Sequence, residues 1–389
     1  MWYFRSPEIV FGEDALDYLL EIQGQKALIV TDPVILELGL VDEVRRKLAA
    51  AGIESSVFAE VEPNPSLKTV QRGAQVALAY EPDWIIAVGG GSPIDAAKGI
   101  FVLYERPDIP VDGICPVGTL GLRQKARLIA IPTTSGTGAE TTWAMVLTDT
   151  EEHRKINLGH AENIPDVAII DPALVLRLPR QITGDTGMDV LTHAVEGYTS
   201  QWRNDFADGL CLKATQLVFD YLPAAVEQGA GDPEAREKMH NAATIAGLGF
   251  GNSMAAMAHG LGHSLGAVCG VPHGRAVGLL LPYSIEYTVR GDSPTRYGEI
   301  ARFLGLAAHE EAEGAASLAA EIRNLARRIG QPTTLQEAGL SAEQIEECLP
   351  KLVANAGGDS ATLIGLRVPD DAEIERIYRY AFTGKAIDF

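Results

Sequence analysis

The chain has 389 residues, more than one hydrophobic core usually serves, so two domains are the default. Its 52 acidic residues outweigh 32 basic ones and leave a formal charge of -20, which repels phosphate backbones and anionic bilayers and argues against nucleic acid or membrane surfaces as partners. Cys115, Cys211, Cys269 and Cys348 lie far apart with no CxxC pair, as expected of a protein kept in a reducing cytosol.

The opening "MWYFRSPEIVFGEDALDYLL" carries acids early and has no basic segment ahead of an apolar core, so no secretory signal is expected. Short β-branched runs then alternate with amphipathic stretches: "KALIVT" as a strand, a helix from about Val34 to Ala51, "SSVFAEV", a helix from Leu67 to Tyr80, and "DWIIAVGGG". The next helix is "PIDAAKGIFVLY", with Pro93 in its first turn, and "ARLIAIPTT", "AMVLTDT" and "VAIID" supply further strands. Alternation of this kind predicts a parallel sheet with crossover helices. Strand signals stop after Asp171, and from about Gly184 apolar residues recur at helical spacing, broken by "EQGAGDPEA", "RGDSPTR" and "GQPTT". The boundary is placed in "LPRQITGDTG", giving domains over 1–183 and 184–389. "MAAMAHGLGHSLGAVCGVPHG" is apolar but holds three histidines, and reads as a buried element of a soluble protein rather than a membrane span.

Two glycine-rich segments follow strands, "VGGGSPIDAAK" and "PTTSGTGAE". Consecutive glycines let a ligand approach the backbone, and the following helix offers unpaired N–H groups and a positive dipole end to a phosphate. A tight strand-to-helix turn would also use glycine, but two such loops on one sheet favour a nucleotide. Neither is the GxGxxG fingerprint, so the domain is a variant dinucleotide fold. Asp32 ends the first clear strand, where a carboxylate accepts hydrogen bonds from a ribose diol and repels a 2′-phosphate, favouring NAD over NADP. A turn opening before Pro33 would equally place an Asp there.

In "GMDVLTHAVEGY" an acid and an imidazole, Asp189 and His193, stand four residues apart, on one face of a helix. His259 and His263 repeat that spacing in "AHGLGHSLG", and His273 follows in "VPHG". A divalent cation explains buried charge that is otherwise costly, and one carboxylate with imidazoles suits iron, zinc or manganese better than magnesium or calcium. Spacing alone does not choose which four of the five bind.

Together, "GGGSPID", "IPTTSGTGAE", "PDVAIIDP", "GMDVLTHAVEGY", "AHGLGHSLG" and "PHG" resemble the iron-containing (group III) alcohol dehydrogenases. The resemblance implies an α/β N-terminal Rossmann-like domain with a parallel sheet plus an all-α C-terminal domain (dehydroquinate synthase-like), with a cleft between them for metal and nicotinamide. It implies Asp189, His193, His259 and His273 as ligands of Fe2+, or alternatively Zn2+, and His263 as a catalytic neighbour that relays a proton or orders the nicotinamide. It places Asp32, Asn64, Gly90, Gly91, Ser92, Asp95, Thr133, Thr134 and Thr137 around NAD, and implies a homodimer acting on a small alcohol or aldehyde, which the cysteine usage places in the cytoplasm. Two segments depart from the family's pattern, "YERPDIPVDGICPVGTLGLRQK" and "HRKINLGHAENIPD", the second with an additional His160.

The alternatives are a glycerol-type polyol dehydrogenase, a dehydroquinate synthase-like lyase dependent on NAD and metal, and a non-catalytic NAD or metal sensor. A lyase acting on a phosphate-bearing substrate calls for clustered Lys and Arg near the histidines, where the sequence shows only Arg275. A sensor could dispense with His263. Maleylacetate-type reductases do without metal, which the full ligand set disfavours.

Overall fold

A computed structural model of the chain describes residues 3–151 and 154–389, so that Met1, Trp2 and His153, which fall within quoted segments, lie outside the described residues. Two compact units divide between Arg177 and Leu178. The first contains, in chain order, β1 (Glu8–Phe11), β2 (Lys26–Val30), β3 (Glu54–Phe58), β4 (Trp84–Gly89), β5 (Arg127–Pro132), β6 (Ala144–Asp149), β7 (Arg154–Gly159) and β8 (Val167–Ile170). Six of them form a parallel sheet in the order β1-β8-β5-β4-β2-β3. The β-branched runs are those of strands covered on both faces, and all six residues of β4 are buried. β2 has β3 on one side and β4 on the other, so the order reverses there, and the loops leaving β2 and β4 flank the crevice in which open α/β sheets bind ligands.

"AMVLTDT" is a strand, β6, but belongs to a separate antiparallel pair with β7 rather than to the parallel sheet. The link between the two is too short for the crossover that parallel pairing needs. Strands β1 and β7 escaped the sequence reading. The helix expected from Val34 to Ala51 is two helices, α1 (Pro33–Glu37) and α2 (Leu40–Ala50), because the chain turns at Gly39 with φ +76°. α3 (Leu67–Tyr80) has the expected bounds, its start fixed by the Ser66 hydroxyl accepting from Thr69 N. α4 (Gly91–Glu105) starts two residues before Pro93.

The second unit is helical: α5 (Arg180–Thr199), α6 (Asp205–Gln228), α7 (Pro233–Gly251), α8 (Met257–Cys269), α9 (His273–Thr288), α10 (Tyr297–Phe303), α11 (Glu311–Arg328), α12 (Ala342–Gly357), α13 (Ser360–Leu363) and α14 (Asp371–Thr383). The sequence reading put the domain boundary at Gly184, where the apolar pattern begins, while α5 starts at Arg180 behind Pro179. From Thr183 onward every residue of α5 except Thr186 is buried, while the preceding Arg180–Ile182 turn is exposed. One core joins α5, α6, α7 and α11 around Val190, Val218, Leu222 and Ala246; a second joins α8, α9, α12 and α14 around Leu261, Tyr283, Leu352 and Tyr378. No helix among the described residues is long and apolar enough to cross a membrane.

Candidate metal centre and phosphate loops

α5 carries Asp189 and His193 on one face, and the stretch from α8 into the first turn of α9 brings His259, His263 and His273 to it. Asp189 Oδ1 lies 3.7 Å from His193 Nδ1, 3.7 Å from His259 Nε2 and 3.5 Å from His273 Nε2. Asp189 and His259 are 1% and 3% exposed, yet Asp189 Oδ1 and His259 Nε2 have no hydrogen-bond partner. Buried polar atoms without partners are costly, so their convergence asks for a cation. Donor atoms held at about 2.0–2.2 Å around one ion with tetrahedral angles stand roughly 3.3–3.6 Å apart. The distances from Asp189 come close to that spacing, and Asp189, His193 and His259 place their donor atoms within 4.8 Å of one another, a set that does not include His273.

Burial would push the Asp189 carboxyl up, but the facing rings of His193, His273 and His259 outweigh it and hold the group well below the usual carboxylate range. Burial likewise disfavours a charged His259, yet Glu196 and Asp189 on its two sides push the imidazole up to about 10.

Glu196 was missed in the sequence reading. Its carboxylate accepts from Ala256 N at 2.8 Å and Ala258 N at 2.6 Å, and meets His259 Nδ1 at 2.6 Å. It caps a helix start that has no side-chain cap of its own and fixes the ring so that Nε2 faces Asp189. The signal was present, since Glu196 sits two helical turns after Asp189 on the same face. Phe250 stacks on His193 with ring centroids 3.9 Å apart and holds that ring flat. His263 stands beside the cluster, its ring centroid 5.3 Å from that of His273, and its Nδ1 meets Asp359 Oδ2 at 3.0 Å. Asp359 is 96 residues further along the chain, and its other oxygen accepts from Ala361 N at the start of α13.

In the first unit the two glycine loops abut. A Cβ on Gly90 would lie 3.2 Å from Thr134, and one on Gly91 2.9 Å from Thr137, so only glycine lets the loops close on each other. Gly90 precedes α4 without any side-chain cap, leaving the first N–H groups of that helix open to an anion. Asn64 takes a left-handed turn at φ +57° and donates its N–H to Ser92 Oγ at 3.3 Å. Thr133 is buried with an unpartnered hydroxyl. Asp32 caps α1, its Oδ1 accepting from Ile35 N at 2.9 Å.

Asp95 is turned to the hairpin: Oδ2 accepts from Val146 N at 2.9 Å, and burial pushes its carboxyl up to about 6. Lys98, one turn on, is fully buried and donates to Ala144 O at 2.7 Å and Thr142 Oγ1 at 3.2 Å; burial brings its amine down to about 8. These two residues tie α4 to β6. The additional His160 is structural as well. Its Nε2 meets Gly118 O at 3.0 Å and its Nδ1 accepts from Glu162 N at 3.1 Å, while Glu162 accepts from Leu120 N and Leu122 N. The two segments that depart from the family's pattern therefore brace each other.

Comparison with known proteins agrees with this geometry. Residues 6–172 match the iron-containing alcohol dehydrogenase profile, and residues 183–382 match the C-terminal profile of the same family. The chain belongs to the iron-containing alcohol dehydrogenases. Across its full length this alcohol dehydrogenase is 38% identical to the NADPH-dependent butanol dehydrogenase of Clostridium saccharobutylicum, all of which is covered. It is 36% identical to the bifunctional aldehyde-alcohol dehydrogenase of Escherichia coli over 98% of this chain but only 46% of that protein, so it spans about half of the bifunctional relative. Among solved structures, the alcohol dehydrogenase from Oenococcus oeni superposes with a TM-score of 0.90 at 31% identity, covering 98% of this chain and 100% of that one. The parallel-sheet unit followed by a helical unit is thus the fold of this family.

Proposed function

We propose that this alcohol dehydrogenase holds Fe2+, with Zn2+ as the alternative, through Asp189, His193, His259 and His273, and moves a hydride between a small alcohol or aldehyde and NAD(H). The observation that carries the reading is Asp189 Oδ1, buried, without a hydrogen bond, and facing three imidazole nitrogens at 3.5–3.7 Å. When bound, the cation supplies Lewis acidity at the substrate oxygen and the nicotinamide supplies the hydride acceptor. The protein's own part is to aim and to handle the proton. Glu196 keeps the His259 proton on Nδ1, so that Nε2 is the donor atom offered to a cation. Asp359 does the same for His263, which leaves the His263 Nε2 bare to take up the alcohol proton.

In the sheet unit, Gly90, Gly91 and Ser92 at the start of α4, with Thr133, Thr134, Thr137 and Asn64 beside them, receive the dinucleotide phosphates, and Asp95 supports them by anchoring α4 to the hairpin. The preference for NAD rests on Asp32 at the end of β2, where a carboxylate would accept from a ribose diol and repel a 2′-phosphate. The butanol dehydrogenase relative is named for NADPH, so the cofactor is tested directly. The enzyme acts as a homodimer in the cytoplasm.

The decisive assay follows NADH and NADPH absorbance with a panel of short alcohols and aldehydes, run anaerobically with Fe(II) or Zn(II). Turnover with NAD that chelation abolishes and metal restores is expected. Full activity in metal-free protein would remove the proposal, and a preference for NADP would remove the role given to Asp32.

A further inference from the structure

Two of the four thiols, distant in sequence, meet in the helical unit. Cys269 is the last residue of α8, and Cys348 lies in the middle of α12. The Ser264 hydroxyl of α8 donates to Leu352 O of α12 at 2.9 Å, a bond buried between the two helices. Cys269 stands five residues further along α8 and Cys348 four residues back along α12, about 6–8 Å along either axis, so helices running in opposite senses bring both residues to one level. There the Cys269 thiol lies within hydrogen-bonding reach of the Cys348 sulfur, and both side chains pack on the core that contains Leu265, Leu349 and Leu352.

The pair is accessible and has room to adjust. Each thiol is half-buried, whereas Cys211 is sealed in the other helical core and Cys115 stands exposed in the first unit, which holds no second cysteine. Helices in contact run about 8–10 Å apart, and their facing Cα atoms come closer than their axes, towards the roughly 4.4–6.8 Å that a disulfide spans. α8 ends at Cys269 and the chain turns off at Gly270 with φ +71°, so this sulfur hangs from a helix terminus. Pro350 has no N–H to give Glu346 O, which loosens the turn of α12 that carries Cys348. Burial and the neighbouring Cys348 sulfur push the Cys269 thiol up to about 12, so Cys269 keeps its proton and Cys348 is the sulfur left to attack.

We propose that Cys269 and Cys348 form a modification site, a thiol pair that a small-molecule disulfide such as oxidised glutathione converts to a disulfide clasping α8 to α12. In the first exchange Cys348 gives up its proton, its sulfur bonds to one sulfur of the small disulfide, and one small thiol leaves. In the second, Cys269 gives up its proton, its sulfur bonds to that of Cys348, and the other small thiol leaves. The protein loses two electrons and two protons, and one small disulfide becomes two thiols. α8 carries His259 and His263, and only Gly270–Pro272 separates Cys269 from His273, so the closed clasp restrains the corner from which three of the clustered imidazoles project. Neither sulfur belongs to the proposed ligand set, and the test does not depend on turnover.

The test uses the full chain with metal bound, oxygen excluded and Cys115→Ser in place, so that the exposed thiol of the first unit forms no adduct. Oxidised glutathione is expected to remove two titratable thiols, leave no glutathione on the chain, and join the peptides of Cys269 and Cys348 in a non-reducing digest; dithiothreitol should restore both thiols. Cys269→Ser should instead keep a glutathione adduct on Cys348, and Cys348→Ser, left with a protonated thiol, should react about ten-fold or more slowly. Because the link closes a loop of about 80 residues, the oxidised chain should unfold at a midpoint about 5 °C or more above the reduced one. Retention of both thiols, a lasting glutathione adduct on the pair, a link that involves Cys211, or a midpoint that oxidation leaves unchanged would each overturn the proposal.

Discussion

Asp189 concentrates the chemistry of the helical unit in one oxygen atom. A buried carboxylate facing uncharged surroundings would take up a proton; this one is held ionised by the three rings, which its Oδ1 faces at 3.5–3.7 Å. Asp189→Ala and His273→Ala are therefore expected to lose both metal and turnover. His263→Ala, which removes a ring anchored by Asp359 and outside the proposed ligand set, should keep its metal and lose turnover by about 10²–10⁴-fold. Elemental analysis of the three purified variants separates the roles, and a metal-free His263→Ala would make that ring a ligand. Glu196→Gln leaves an oxygen to accept one N–H but removes the charge behind His259. Its metal affinity should fall about 10–100-fold, read by competition against a chromophoric chelator.

The helices meet at the centre because their surfaces are bare where they touch. A Cβ on Gly274 would lie 2.2 Å from the carbonyl oxygen of Asp185, an atom fixed in the α5 backbone. Gly274→Ala should push α9 from α5, cost about 1–3 kcal/mol in chemical denaturation, and weaken metal binding through the neighbouring His273. Elements differ in how legible they were. The central strands declare themselves as unbroken β-branched runs, and α3 is bounded by Ser66 and a clear apolar period. Short strands do not: β1 spans four residues, and β7 pairs only with its hairpin neighbour. Asp189, His193 and Glu196 share a helical face that can be read from spacing. Asp359 could not be found that way, since only tertiary folding brings it across 96 residues to His263. The meeting of Cys269 with Cys348 was equally hidden, since in sequence the four cysteines lie far apart. Asp95 and His160 also hydrogen-bond within the fold in ways the sequence does not show, Asp95 to Val146 N and His160 to Gly118 O and Glu162 N.

Each unit of the whole molecule has cores of its own, with the phosphate loops in the first and the metal centre in the second. Scanning calorimetry should resolve two transitions, since a chain of two such bodies need not unfold in one step. Chelation is expected to lower one transition, and NAD at a hundred times its Kd to raise the other by about 2.7 kcal/mol. A single peak answering to both ligands would show one cooperative body. The Glu196 carboxylate has a wider consequence for such an enzyme. Because α8 is pinned from α5 at Ala256 and Ala258, the stretch Asn252–Ala255 ahead of it is relieved of aiming His259. Altered side chains there are expected to leave the aim of the His259 ring in place, so that this loop can change in sequence while the orientation of the candidate ligand is kept.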